Sequence, residues 1–178
     1  MGLRAKFVEA LRKLERTRRK LEIYMVKTEQ RKKELMDKLI EAQRKGDEMR
    51  AKIYASEIAN LNKILKSLMM LDVKLEQASL KIQSVIMVGD AAFALKPVAR
   101  DLKNLMGVVK QLIPTIEEEF EELVDMIDDL AGSEFAGEIF ADVYLDTEAA
   151  RILQEAKAIA EERLKNKLEM ESAESYKT

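Results

Sequence analysis

Apolar side chains recur along the first part of the chain in alternating steps of four and three: Phe7, Leu11, Leu14, Leu21, Met25, Thr28, Leu35, Leu39 and Ala42. Polar Arg18 and Lys32 hold the two missing places. The pattern resumes as Ala51, Tyr54, Ile58, Leu61, Leu65, Leu68, Leu75, Ser79, Ile82 and Ile86, with Asp72 in the gap. A repeat of this kind is the seam of paired helices. The two stripes mirror each other about Lys45-Gly46-Asp47-Glu48. Folding between Gly46 and Asp47 sets Leu39 level with Tyr54, Leu35 with Ile58, Met25 with Leu68, Leu11 with Ile82 and Phe7 with Ile86, all in one register. The prediction is an all-α chain built on a long antiparallel α1–α2 hairpin over 3–88, about 60 Å long at 1.5 Å per residue. Gly46 suits a left-handed C-cap, and Asp47 suits the N-cap of the second arm.

The second arm carries more apolar surface than one seam uses. Ile64, Leu71, Ala78 and Val85 recur every seven residues beside it, and Met69, Met70, Val73 and Leu80 widen the stripe. Either later helices of the same chain or a neighbouring subunit must cover this face, which makes Ile64, Leu71, Ala78 and Val85 the candidate polymer interface. Asp72 falls level with Leu21 and within a turn of Arg18 and Lys20, which fits either a cross-arm salt bridge or simple noise in the register. Gly89 and Asp90 break the pattern and are the candidate hinge. Shorter helices pack on the hairpin or extend from it over about 91–130. One is expected at about Pro97–Leu112, with Ala91–Lys96 as an alternative continuation of the second arm after a kink. Another follows Pro114, where Thr115-Ile116-Glu117-Glu118 has the form of a capping box and Phe120, Leu123, Val124, Ile127 and Leu130 make an apolar face. Residues 1–130 thus form a helical core and 131–178 a carboxyl-terminal region. That region comprises a Gly-interrupted linker, Ala131 to Asp146, whose Phe135, Ile139, Phe140, Val143, Tyr144 and Leu145 offer a docking element. A last helix at about Thr147–Met170 and a disordered polar tail from Glu171 complete it.

Composition supports long helices over a globule: 36% of residues are charged, 5% are aromatic, and the chain has 6 Gly and 2 Pro. Without Cys or His, thiolate chemistry, disulfides and the commonest general base and metal ligand are missing. No enzyme activity, catalytic residue, metal site or cofactor is therefore expected. No apolar run approaches the roughly 20 residues of a membrane span, and the amino terminus lacks a signal-peptide core, so a cytoplasmic protein is expected.

Charge is strongly segregated. Residues 1–46 hold 15 Lys and Arg against 7 Asp and Glu, whereas 114–178 hold 6 basic and 19 acidic residues. Arg4, Lys6, Arg12, Lys13, Arg16, Arg19, Lys20, Lys27 and Arg31 lie mostly off the seam and are candidates for contact with an anionic membrane. Nucleic acid is not the expected partner, because Tyr24 is the one aromatic around these cations that could stack a base and no reading motif is present. Glu117, Glu118, Glu119, Glu121, Glu122, Asp125, Asp128 and Asp129 form an acidic face that suits lysine pairing or solvent better than a metal. All of these but Glu119 are the candidates for masking the basic arm of the same chain.

Lys45-Gly46-Asp47-Glu48-Met49-Arg50-Ala51-Lys52-Ile53-Tyr54-Ala55-Ser56-Glu57-Ile58-Ala59-Asn60-Leu61 and Phe120-Glu121-Glu122-Leu123-Val124-Asp125-Met126-Ile127-Asp128-Asp129-Leu130 resemble archaeal ESCRT-III proteins of the CdvB cell-division type, relatives of the eukaryotic charged multivesicular body proteins. The resemblance covers about 3–130. It implies a five-helix subunit that polymerises with itself and with paralogues, on the inner face of the plasma membrane at the division site, for membrane remodelling and scission. It also implies an acidic carboxyl half that restrains assembly. In such families the last helix often binds a AAA ATPase. Here Ala160 to Leu168 is similar to the helical motif, with Arg163, Leu164 and Leu168 as the candidate contacts, but Ala160 replaces a leucine and Leu168, the last leucine, falls one residue late. The rival reading is a coiled-coil or bundle adaptor that binds an acidic protein or nucleic acid and never meets lipid.

Overall fold

The computed structural model describes residues 2–88, 91–133 and 141–175, the side chains of 141–147 excepted. It contains two separate units, Met1–Gly137 and Glu138–Thr178. All regular elements among the described residues are helical.

Helices α1 (Leu3–Arg44) and α2 (Glu48–Val88) form the expected hairpin. Gly46 sits at φ +72°, the left-handed conformation that a side chain disfavours, although a Cβ there would meet nothing within 4 Å. Backbone geometry, not space, selects glycine at this point. The Asp47 amide donates to the Ala42 carbonyl at 2.9 Å, closing α1, and the Asp47 carboxylate accepts from the Arg50 amide at 3.2 Å, opening α2.

The seam has the register that the stripes predict. Arg18 reaches between Asp72 (3.1 Å) and Glu76 (3.7 Å), and the Ser79 hydroxyl donates to Glu15 at 2.7 Å. Phe7, Leu14, Leu21, Leu68, Leu75 and Ile82 are almost wholly buried along it. Buried Thr17 and Thr28 donate their hydroxyls back to the Lys13 and Tyr24 carbonyls, so neither leaves a polar group unmatched. The hydrogen bond to Asp72 is the main influence raising the Arg18 pKa above its usual value; burial opposes it, while the Asp72, Glu15 and Glu76 charges assist. Arg18→Ala should therefore cost about 1 kcal/mol, discounted for partial exposure, and strand Asp72. The double change Arg18→Met with Asp72→Leu should recover that loss. Urea unfolding of the three proteins checks both statements.

The later elements cover only one half of the hairpin. A 3-10 turn (Ala92–Leu95), α3 (Lys96–Asn104), α4 (Met106–Leu112), a second 3-10 turn (Pro114–Ile116) and α5 (Glu117–Ala131) follow α2. Their Leu95, Val98, Ala99, Leu102, Val109, Ile113, Ile116, Phe120, Leu123 and Ile127 join one core with Phe7 to Leu21 of α1 and Leu68 to Val85 of α2. Towards the turn, Leu35, Ala42, Ala51 and Ile58 are buried by the two arms alone. This is the sparser spacing of a two-helix seam.

Four details depart from the sequence expectations. The helix expected at Pro97–Leu112 is two, interrupted at Leu105, whose amide bonds Leu102 in a 3-10 step before the weak helix formers Gly107, Val108 and Val109. Thr115 does not cap α5. It lies within the second 3-10 turn, where the Ile116 amide donates to Ile113 and both isoleucines enter the core. The last helix, α6, runs Ala141–Ser175, so it takes in the end of the expected linker and most of the expected tail. Finally, Met69, Met70, Val73 and Leu80 are 55–60% exposed, so the covered stripe of α2 is narrower than its apolar sequence suggests. The expected hinge, Gly89 and Asp90, lies outside the described residues, as do Phe135, Ile139 and Phe140.

Candidate functional site

Two faces of the hairpin concentrate the expected functional residues. On α1, Arg12, Arg16, Arg19, Ile23 and Lys27 follow one another at four- and three-residue steps, which places them on a single outward face. All five are exposed, with Ile23 at 57% in the middle of the cations. Arg4 and Lys6 are exposed nearer the amino terminus. Among the described residues, Arg4, Lys6, Arg12, Arg16, Arg19 and Lys27 have no ion-pair partner, whereas Arg31 pairs with Glu34 at 3.5 Å one turn on.

Lys13 and Lys20 are turned to the flank of α1 that meets α5. Lys13 approaches Glu122 at 3.9 Å, and the Lys20 ammonium donates to the Glu119 carboxylate. These two pairs run α5 antiparallel to α1 at the crossing. Among the acids expected to mask the basic arm, Glu122 lies beside Lys13, whereas Asp128 binds Lys103 of α3 at 2.8 Å. Glu118, Glu121, Asp125 and Asp129 are exposed, and Glu117 is half-buried. Glu119 was expected on the lysine-pairing face but not among the masking residues, and it is the acid that meets Lys20.

On α2, Leu71, Ala78 and Val85 are buried and Ile64 is half-buried against the later helices. The cover for this stripe is thus intramolecular in the conformation described. Phe120 and Leu123 are fully buried in the same core, and Lys74 of α2 ties α3 through Asp101 at 3.1 Å. Five apolar side chains of α5 stabilise its seat by roughly 1.5–3 kcal/mol each before entropic costs. An exposed ion pair contributes about 0–1 kcal/mol. The seat of α5 is therefore held by packing, and its two contacts to the basic arm set alignment.

On α6, Leu164 and Leu168 stand four residues apart, 58% and 56% exposed, with exposed Arg163 beside them. Among the described residues no group of His, Cys, Asp or Glu is arranged to hold a metal ion, and no helix is long and apolar enough to cross a membrane.

The chain is 31% identical over 167 residues to Cell division protein B1 of Sulfolobus acidocaldarius, a match covering 93% of this chain and 78% of that protein. It belongs to the CdvB family of archaeal ESCRT-III proteins. A second relative, Cell division protein B of the same organism, is 27% identical over 158 residues; the match covers 88% of this chain and 60% of that protein. No family model matches the chain, and no solved structure does. The all-helical hairpin fold agrees with the CdvB assignment, and the cell-division names of both relatives give this family its broad cellular context.

Proposed function

We propose that this CdvB-family chain is a non-enzymatic subunit of a membrane-remodelling polymer that assembles on anionic membrane during cell division, at the inner face of the plasma membrane. The observation that carries the reading is the outward face of α1, where Arg12, Arg16, Arg19 and Lys27 stand exposed without an ion-pair partner among the described residues. Cations on one side of a long helix can meet many headgroups at once, each worth about 1 kcal/mol near an anionic surface. In the described conformation the stripe of Ile64, Leu71, Ala78 and Val85 is occupied by the chain's own helices. Its use between copies requires α3–α5 to leave, with Gly89 and Asp90 as the proposed hinge. Displacement is a population shift, driven by membrane and neighbouring subunits that prefer the open form. The acidic face of α5, together with its apolar packing, restrains that step. Paralogues of the same family are the proposed co-assembling partners, and Arg163, Leu164 and Leu168 are the proposed contact for a AAA ATPase.

The test is co-sedimentation of the full chain with vesicles of phosphatidylcholine alone or mixed with phosphatidylglycerol, followed by electron microscopy of the pellets. Binding confined to the anionic vesicles, weakened by salt and accompanied by filaments, is the expected result. Absence of both binding and filaments at low salt refutes the reading in favour of an adaptor.

A further inference from the structure

The end of the hairpin away from Gly46 carries an apolar cluster that the fold does not use. Met87 is 80% exposed, the most of any large hydrophobic among the described residues, and Val88 is 77% exposed. After the break, Phe93 is 52% exposed. Their neighbours behave in the opposite way: Val85 is 5% exposed, and Ala92 and Leu95 are wholly buried. The chain is therefore anchored in the core on both sides of the break while its bulkiest apolar groups point outward. In the 3-10 turn Ala92–Leu95, residues three apart share a side, so burying Ala92 and Leu95 expels Phe93.

Cations lie on the elements that carry these side chains and on the start of α1. The Lys96 ammonium lies 5.1 Å from the centre of the Phe93 ring, and Arg100 is exposed one turn further along α3. The hairpin register sets exposed Arg4 and Lys6 of α1 level with the end of α2. The acid nearest in sequence, Asp90, lies outside the described residues, and Asp101 is engaged by Lys74. Apolar tips within a basic collar match the layering of an anionic bilayer, where phosphates take the ammonium and guanidinium groups and the apolar side chains reach the acyl boundary. A protein neighbour of the same chain would have to bring acidic groups to that collar, and the cations of α1 on the same end would repel its equivalent.

We propose that Met87, Val88 and Phe93 enter the acyl boundary of an anionic bilayer while Arg4, Lys6, Lys96 and Arg100 hold its headgroups. The inference rests on the membrane reading above and adds to it a point of insertion. The chain contains no Trp, so one introduced indole reports on its own position. Met87→Trp is made in the full chain and compared with Met49→Trp, which is 77% exposed in the wild type and lies beside the Gly46 turn at the other end. With phosphatidylglycerol vesicles, Met87→Trp should shift to shorter emission wavelength and be quenched by brominated lipid, while Met49→Trp should show neither change. A triple change of Met87, Val88 and Phe93 to Ser should leave thermal unfolding unchanged and weaken vesicle binding by roughly tenfold. If both tryptophan proteins pellet with vesicles yet give the same emission and quenching, insertion is refuted while membrane binding stands. If neither pellets, the membrane reading itself is refuted. A shift that appears on self-assembly without lipid assigns the cluster to a contact between copies and overturns the proposal.

Discussion

Phe120→Ala loosens α5 from the hairpin and raises both vesicle binding and filament yield. Phe120 is wholly buried in the core to which Leu14, Leu21 and Leu71 also belong. Truncation to alanine removes its transfer energy and leaves a cavity, at a cost of about 3–5 kcal/mol. Local opening of α5 loses the same contacts as global unfolding does at this residue. A closed-to-open balance moved by 3 kcal/mol changes roughly a hundredfold, so subunits hidden in the parent become available to membrane and to each other. Urea unfolding measures the stability loss, and co-sedimentation with anionic vesicles measures the functional gain. The companion protein Glu119→Ala with Glu122→Ala removes both ion pairs to α1. Because those pairs are well exposed, the companion should shift stability by no more than about 1–2 kcal/mol and change binding only slightly. A Phe120→Ala protein that is less stable but binds and assembles no better than the parent would show that α5 is not a restraint.

The contrast between packing and charge also explains what could be read from the sequence. The hairpin was legible because its signals are local and repeated: a heptad stripe of 22 places, mirrored about one glycine, leaves one register that buries both sides. Arg18 between Asp72 and Glu76 and Ser79 on Glu15 fall at the levels which that register dictates. The widened stripe on α2 was legible as surplus but not in its limits. Leu71 and Leu80 are both leucines, yet one is buried and the other 56% exposed, because only the side facing α3 and α5 is covered. The break at Leu105 was hidden since a 3-10 step needs no special residue, and the leucine itself is a good helix former. Charge segregation suggested that acids would mask the basic arm, and α5 places two carboxylates beside lysines of α1. Net charge does not say which carboxylates reach a lysine. That depends on the rotation of α5, which its apolar face sets, and the rotation brings Glu119 and Glu122 to Lys20 and Lys13 while Glu121 and Asp125 stay in solvent.

Reversing Arg12, Arg16 and Arg19 to Glu abolishes binding to anionic vesicles and leaves the fold intact. The three side chains are exposed and unpaired among the described residues, so surface replacement should alter stability by about 0.5 kcal/mol or less per site. Near an anionic bilayer each cation contributes on the order of 1 kcal/mol, and a carboxylate in its place adds repulsion of similar size. The loss across three sites is at least several kcal/mol, or more than a hundredfold in affinity. Net charge alone could produce part of this effect, so the control is Lys52, Lys63 and Lys66 to Glu on α2, three exposed cations whose reversal changes the protein's charge by the same amount. If the face of α1 is the contact, the α2 control keeps most of its binding near physiological salt, where charges further apart than about 8 Å are largely screened. Equal losses in both proteins would mean that the membrane responds to overall charge and that no particular face of the hairpin is turned towards it. Retained binding by the α1 variant, with its helicity unchanged by circular dichroism, would remove the observation on which the membrane reading stands.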